Sequence, residues 1–182
     1  MYRYQSQQGY SLIEVLIAVA VLLLSIVGPL TIAAKSLQTA SDSTDQMVAT
    51  YLAQEGVEAI MALRQHSVIA AVKDNNFSQA WNWTGDSRLN DCRTSAGCNF
   101  DTNYQINLGN SSFRDSITSC ANASDCQLSG DFDRYTRVVQ LQNLGPDAVE
   151  VITTVSWTGR AFSGSNREVV IRTVLYDIYG EL

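Results

Sequence analysis

Four cysteines, one histidine and a carboxylate inside an apolar run are the residues of this chain with chemistry to offer. The cysteines are Cys92, Cys98, Cys120 and Cys126, spaced C-x5-C twice. Zinc sites usually pair their cysteines at C-x2–4-C, so this spacing disfavours a metal. An even number of thiols in a polar, apparently exported region favours disulfides. Three pairings are open, and spacing does not choose among them. The local pairs, Cys92 with Cys98 and Cys120 with Cys126, are preferred, each stapling a short loop. His66 is the single histidine. It falls on a predicted helix and reads as a solvated residue rather than a base. No serine sits in a nucleophile motif, and there is no C-x-x-C, phosphate-cradling glycine loop or metal-ligand cluster. The stretch "SGDFDR" supplies Asp131 and Asp133 without the rest of a calcium loop. These residues exclude the familiar enzyme classes and call for no cofactor.

Glu14 is a different matter. It stands inside "GYSLIEVLIAVAVLLLS", where an apolar run follows Gly9 and a polar leader, "MYRYQSQQG". A carboxylate at the centre of a membrane costs about 2.5–3.5 kcal/mol on insertion scales. It must either snorkel to the headgroups or meet a cation.

The elements that carry these residues follow from composition. The chain has 182 residues and a formal net charge of −6. That suits one ordinary domain plus a membrane segment. Residues 15–34 are 20 positions without a charge. This is the length that crosses about 30 Å of hydrocarbon at about 1.5 Å per residue. A cleaved secretory signal does not fit. The run is too long, and the sites after Ala34 and Ala40 carry Ile32 and Gln38 where a small residue is needed. An uncleaved signal anchor is the plain alternative. Arg3 before the span and Lys35 after it leave its orientation undecided.

From Tyr10 to about Lys73 the chain reads as one long helix. Gly28-Pro29 predicts a kink or local melting. A break near 41–44, capped by Asp42 or Ser43, is an alternative. Beyond the membrane Val48, Leu52, Gly56, Ala59, Ile60 and Leu63 recur at helical spacing and define one apolar face. Gly56 would admit close approach of another element. Residues 74–130 are rich in Asn, Ser, Asp and Gly and predict loops, with one short strand at 104–108. Trp81 and Trp83 read as anchors of a long loop to the core rather than as a recognition patch.

The last fifty residues predict an antiparallel meander of three strands. "RYTRVVQLQN" is followed by the turn "LGPD", and in "VEVITTVSWT" the residues Val149, Val151, Thr153, Val155 and Trp157 alternate onto one face. In "REVVIRTVLYDIY" Val169, Ile171, Thr173 and Leu175 do the same. Helix 45–66 is the natural cover for that face. Over residues 134–182, five arginines (Arg134, Arg137, Arg160, Arg167, Arg172) against five acids allow a local basic face. The acidic balance of the whole chain disfavours nucleic acid.

The N-terminal pattern now has a reading. Gly9, aromatic Tyr10, Ser-Leu-Ile, Glu14 and an uninterrupted apolar span resemble the prepilin signature of type IV pilins and type II secretion pseudopilins. The resemblance implies a pilin-like α+β fold, with a long N-terminal helix packed on a C-terminal antiparallel meander. It implies a leader at 1–9, a membrane and polymerisation helix at 10–35, and an exported globular part at 36–182. The globular part divides into helix to about 73, cysteine-bearing loops at 74–130 and sheet at 131–182. It implies that a prepilin peptidase cuts between Gly9 and Tyr10 and methylates the new amine on Tyr10. Glu14 would pair with the N-terminal amine of a neighbouring subunit during assembly. The implied partners are other pilin subunits, the peptidase, an inner-membrane assembly platform, and lipid before assembly. The implied location is the inner membrane, by a single pass, and then a surface pilus. Tyr10 departs from the commoner Phe, and the cysteines precede the last three strands rather than lying near the C-terminus. "YLAQEGVEAIMALR" resembles a segment of minor pilins, which favours a minor subunit. A secretion pseudopilin is the alternative, as is a pilus-tip adhesin or DNA-uptake module.

Overall fold

Residues 12–73 hold two glycines and one proline, and otherwise nothing that breaks a helix. They form a single helix, α1 (Leu12–Lys73). The computed structural model describes residues 11–77, 80–100, 117–159 and 165–178. α1 passes through Pro29 without melting and through 41–44 without a break. Pro29 has no N–H for the carbonyl one turn back. Hydroxyls near it turn inward to the helix backbone, Ser25 Oγ to the Leu22 carbonyl at 2.9 Å and Thr31 Oγ1 to the Gly28 carbonyl at 2.8 Å. In an apolar medium that satisfies the only side-chain donors of the segment. Asp42 does not cap a second helix. Its carboxylate instead accepts from Arg167 at 3.0 Å. The helix ends where Asn75 adopts a left-handed conformation, φ 49°. Asn tolerates that geometry. The amides of Asn75 and Asn76 then close on the carbonyls of Val72 and Ala71.

The sheet has five antiparallel strands rather than three. They are β1 (Cys98–Phe100), β2 (Ile117–Ser119), β3 (Tyr135–Asn143), β4 (Ala148–Thr158) and β5 (Asn166–Tyr176), in the order β2-β1-β3-β4-β5. The meander β3-β4-β5 follows the predicted pattern. Val149, Val151, Thr153, Val155 and Trp157 are all buried, and Val169, Ile171 and Thr173 are half-buried beside buried Leu175. The added pair β1–β2 was missed because each strand has only three residues, too few to show alternation. The predicted strand at 104–108 lies outside the described residues.

α1 covers the inner face of this sheet from Asp45 onward. Leu52, Gly56, Ala59, Ile60 and Leu63 are buried as their spacing predicts, and Val48 is half-buried. A Cβ on Gly56 would come within 2.8 Å of Thr153 Cγ2 and 3.1 Å of Val139 Cγ2. The helix comes closest to the sheet at Gly56, where it has no side chain. Trp83 lies in the core, and Trp81 packs edge-on to it with ring centroids 5.5 Å apart. Trp81 also donates Nε1–H to the Pro146 carbonyl at 3.1 Å. The tryptophans are loop anchors.

The described arginines make no basic face. Arg137 is fully buried. Arg134 pairs with Asp45, Arg167 with Asp42, and Arg172 with Glu150 at 3.4 Å. The burial of Arg137 overturns its place in the expected basic face. Tyr135, Arg137, Val139 and Leu141 share the inward face, and the arginine goes inside with its apolar neighbours.

Candidate functional site: the unpacked end of the helix and the seam behind it

The first turn of α1 carries the residue with a chemical role to fill. Ser11 stands at the cap position with an extended backbone, φ −67° and ψ 137°. Its carbonyl accepts the amides of Glu14 at 2.9 Å and Val15 at 3.3 Å. Glu14 is therefore in the first turn, where the helix dipole favours a negative charge. Gly9 and Tyr10, the predicted cleavage and methylation positions, lie outside the described residues.

From Leu12 to Ala40 every residue of α1 is exposed. Leu24 is 76% exposed and Leu37 74%, and soluble monomers rarely expose so long an apolar stretch. Residues 12–40 run about 43 Å at about 1.5 Å per residue. This apolar end is long enough to cross a membrane. Small residues, Ala18, Ala20, Ser25, Gly28, Ala33 and Ala34, interrupt the large ones and permit close helix packing.

Where the helix enters the globular part, a polar seam fixes its direction. Asp42 holds Arg167, Asp45 holds Arg134, and the Tyr135 hydroxyl donates to the Asp45 carbonyl at 3.4 Å. Asp45 is only 6% exposed. Sequence reasoning did not find this seam. Its partners are about ninety or more residues apart, and no local pattern joins them.

The structure joins Cys92 to Cys98 and Cys120 to Cys126, with Cα separations of 4.5 and 5.3 Å. These bonds are more than loop staples. Cys92, Cys98 and Cys126 are fully buried and Cys120 nearly so. Gly97 lies against β3 in the left-handed region, φ 75°, and a Cβ there would meet the Val139 carbonyl at 2.9 Å. Only glycine fits that approach. His66 is exposed on α1, and among the described residues no three of His, Cys, Asp and Glu gather as metal ligands.

Residues 4–28 match the family model for the prokaryotic N-terminal methylation motif. No curated protein and no solved structure matches the chain. The matched stretch ends inside the exposed apolar part of α1, which supports membrane anchoring. Such a motif implies, in general terms, assembly with other pilin subunits and processing by a prepilin peptidase. Residues 4–28 are the signature of type IV pilins and pseudopilins, and they support a protein of that class with a structural role.

Proposed function

We propose that this chain is a minor pilin, a structural subunit of a type IV pilus or related filament. One observation carries the reading. The methylation motif at 4–28 overlaps the part of α1, residues 12–40, in which every residue is exposed. A soluble domain does not keep such a surface, so the segment belongs first in lipid and then against the helices of other subunits. The segment "YLAQEGVEAIMALR", shared in style with minor pilins, favours the minor subunit.

In this reading the chain inserts by a single pass in the inner membrane, with the residues after about 35 outside the cytoplasm. A prepilin peptidase cuts between Gly9 and Tyr10 and methylates the Tyr10 amine. The new cation and Glu14 are about one helical turn apart in sequence. Desolvating a lone carboxylate costs about 2.5–3.5 kcal/mol at membrane depth, and pairing with the amine of a neighbouring subunit offsets much of that cost. Apolar packing supplies the bulk of the filament contact, and the carboxylate sets its register.

Two substitutions separate processing from assembly. Gly9→Val should leave full-length, unmethylated chain in the membrane. Glu14→Ala should be cleaved normally and then enter filaments poorly. Immunoblots of membrane and sheared-filament fractions, in cells with no other copy, read both. Wild-type incorporation of Glu14→Ala would show that the carboxylate only snorkels. Secretion lost without loss of pili, on deleting the gene, would move the chain to the pseudopilins.

A further inference from the structure

The buried arginine of β3 is hydrogen-bonded both to α1 and to β1. Arg137 points inward beneath α1, and its side chain is 1% exposed. Its Nη1 donates to the Leu52 carbonyl at 3.3 Å and to Glu55 Oε2 at 2.9 Å, both on α1. Its Nε donates to Asn99 Oδ1 at 2.9 Å and its Nη2 to the Phe100 carbonyl at 2.5 Å, both on β1. Asn99 in turn donates Nδ2–H to the Cys126 carbonyl at 3.4 Å. One guanidinium thus holds the helix on one side and the disulfide region on the other.

β1 is a weak element to trust with half of a buried charge. It has three residues, pairs with β3 only at Cys98–Val139, and pairs with an equally short β2. Strands of this length do not persist by themselves. Core packing of Cys98 and Phe100 holds β1, and a disulfide braces the loop at one end of each strand. The first disulfide ends in Cys98, the first residue of β1, and the second starts at Cys120, the residue after β2. With the disulfides closed, β1 presents its two acceptors to Arg137. With them open, those acceptors leave a buried cation, and removing partners from a buried charge is strongly destabilising. The least costly relief is water entering at Leu52–Glu55, where the helix lifts from the sheet.

We propose that Arg137 makes docking of α1 on the sheet conditional on the two disulfides, so that the fold closes only in an oxidising compartment. Each closure removes two protons and two electrons from a pair of thiols and passes them to an external disulfide, which leaves as a dithiol. The inference does not depend on filament assembly, and its test reads none.

The test is a double-mutant cycle on the full chain in detergent micelles. Cys120→Ala with Cys126→Ala opens the second disulfide, and Arg137→Met removes the charge at similar volume. If the latch is right, opening the disulfide lowers the melting midpoint at least about twice as far with Arg137 present as in the Arg137→Met background, because the sites couple. Equal drops in the two backgrounds overturn it, as does unfolding of both. Should Arg137→Met alone fail to fold, amide exchange on the unaltered oxidised chain decides instead. Amides of β1 and of residues 52–56 should then open together, at one denaturant dependence and before β4. Separate openings for β1 and the helix would reject the latch.

Discussion

At the scale of single residues, two buried groups with opposite status explain most of the packing logic. Arg137 is buried and richly bonded. Thr153 is buried on the same face, and its hydroxyl has no hydrogen-bond partner. It is there because the site needs a β-branched shape beneath Gly56, not because it needs a donor. A lone buried hydroxyl costs more than a methyl of the same size. Thr153→Val should therefore raise the stability of the chain by about 1 kcal/mol, read as a higher denaturant midpoint at unchanged slope. A fall in stability would mean that the hydroxyl is bonded in solution. The same contact map explains why position 56 is glycine, although glycine weakens a helix by about 1 kcal/mol relative to alanine. The helix gives up propensity to come close enough to bury Thr153 and Val139.

At the scale of elements, α1 is one helix in backbone with two differently packed halves. Its hydrogen-bond ladder is continuous, yet burial begins only at Asp45. The second half is amphipathic at the 3.6 period, and its inward residues interlock with the period-2 face of β4. Ile60 is fully buried in that seam, whereas Glu58, two residues away, is exposed. Ile60→Ala should cost about 2–5 kcal/mol, from lost transfer energy and the cavity left behind. Glu58→Lys should change stability by no more than about 0.5 kcal/mol. Thermal melts of the two variants check the face assignment, and similar losses in both would refute it. β1 and β2 show the reverse relation between element and fold. They are too short to be stable strands, and the disulfides and β3 impose them.

At the scale of the whole molecule, the chain has one surface that the fold ignores. Residues before Asp45 contribute nothing buried to the core, and the ties of Asp42 and Asp45 to Arg167 and Arg134 lie beyond residue 40. A chain beginning at residue 41 should therefore fold without detergent, sediment as a monomer, and melt within about 4 °C of the full chain, which is the shift expected for a difference of about 1 kcal/mol. Loss of cooperative melting would show that the apolar segment supports the globular part. The full chain in water should aggregate, since the exposed side chains of 12–40 form a patch far beyond what a soluble monomer carries.

Local chemistry was enough to reveal the pieces that act locally. The cleavage-type motif, the uncharged span, the inward face of α1 and the alternation of β4 and β5 are all periodic or contiguous, so neighbouring residues carry the whole signal. Gly56 too was legible, because a glycine in the middle of an apolar helical face has few other uses. The preferred cysteine pairing agreed with the structure, but spacing alone left three pairings open, and nothing local indicated that the sulfurs enter the core. Other features depended on residues far apart in the chain. The joining of β1 to β3, the seam of Asp42 and Asp45 with Arg167 and Arg134, and the course of Arg137 from β3 to both α1 and β1 arise only when the sheet is assembled. An arginine in a strand of alternating residues reads as a surface charge until folding places acceptors around it. Those acceptors include two backbone carbonyls, one amide side chain and one carboxylate, and their positions around the guanidinium are properties of the fold rather than of any residue type.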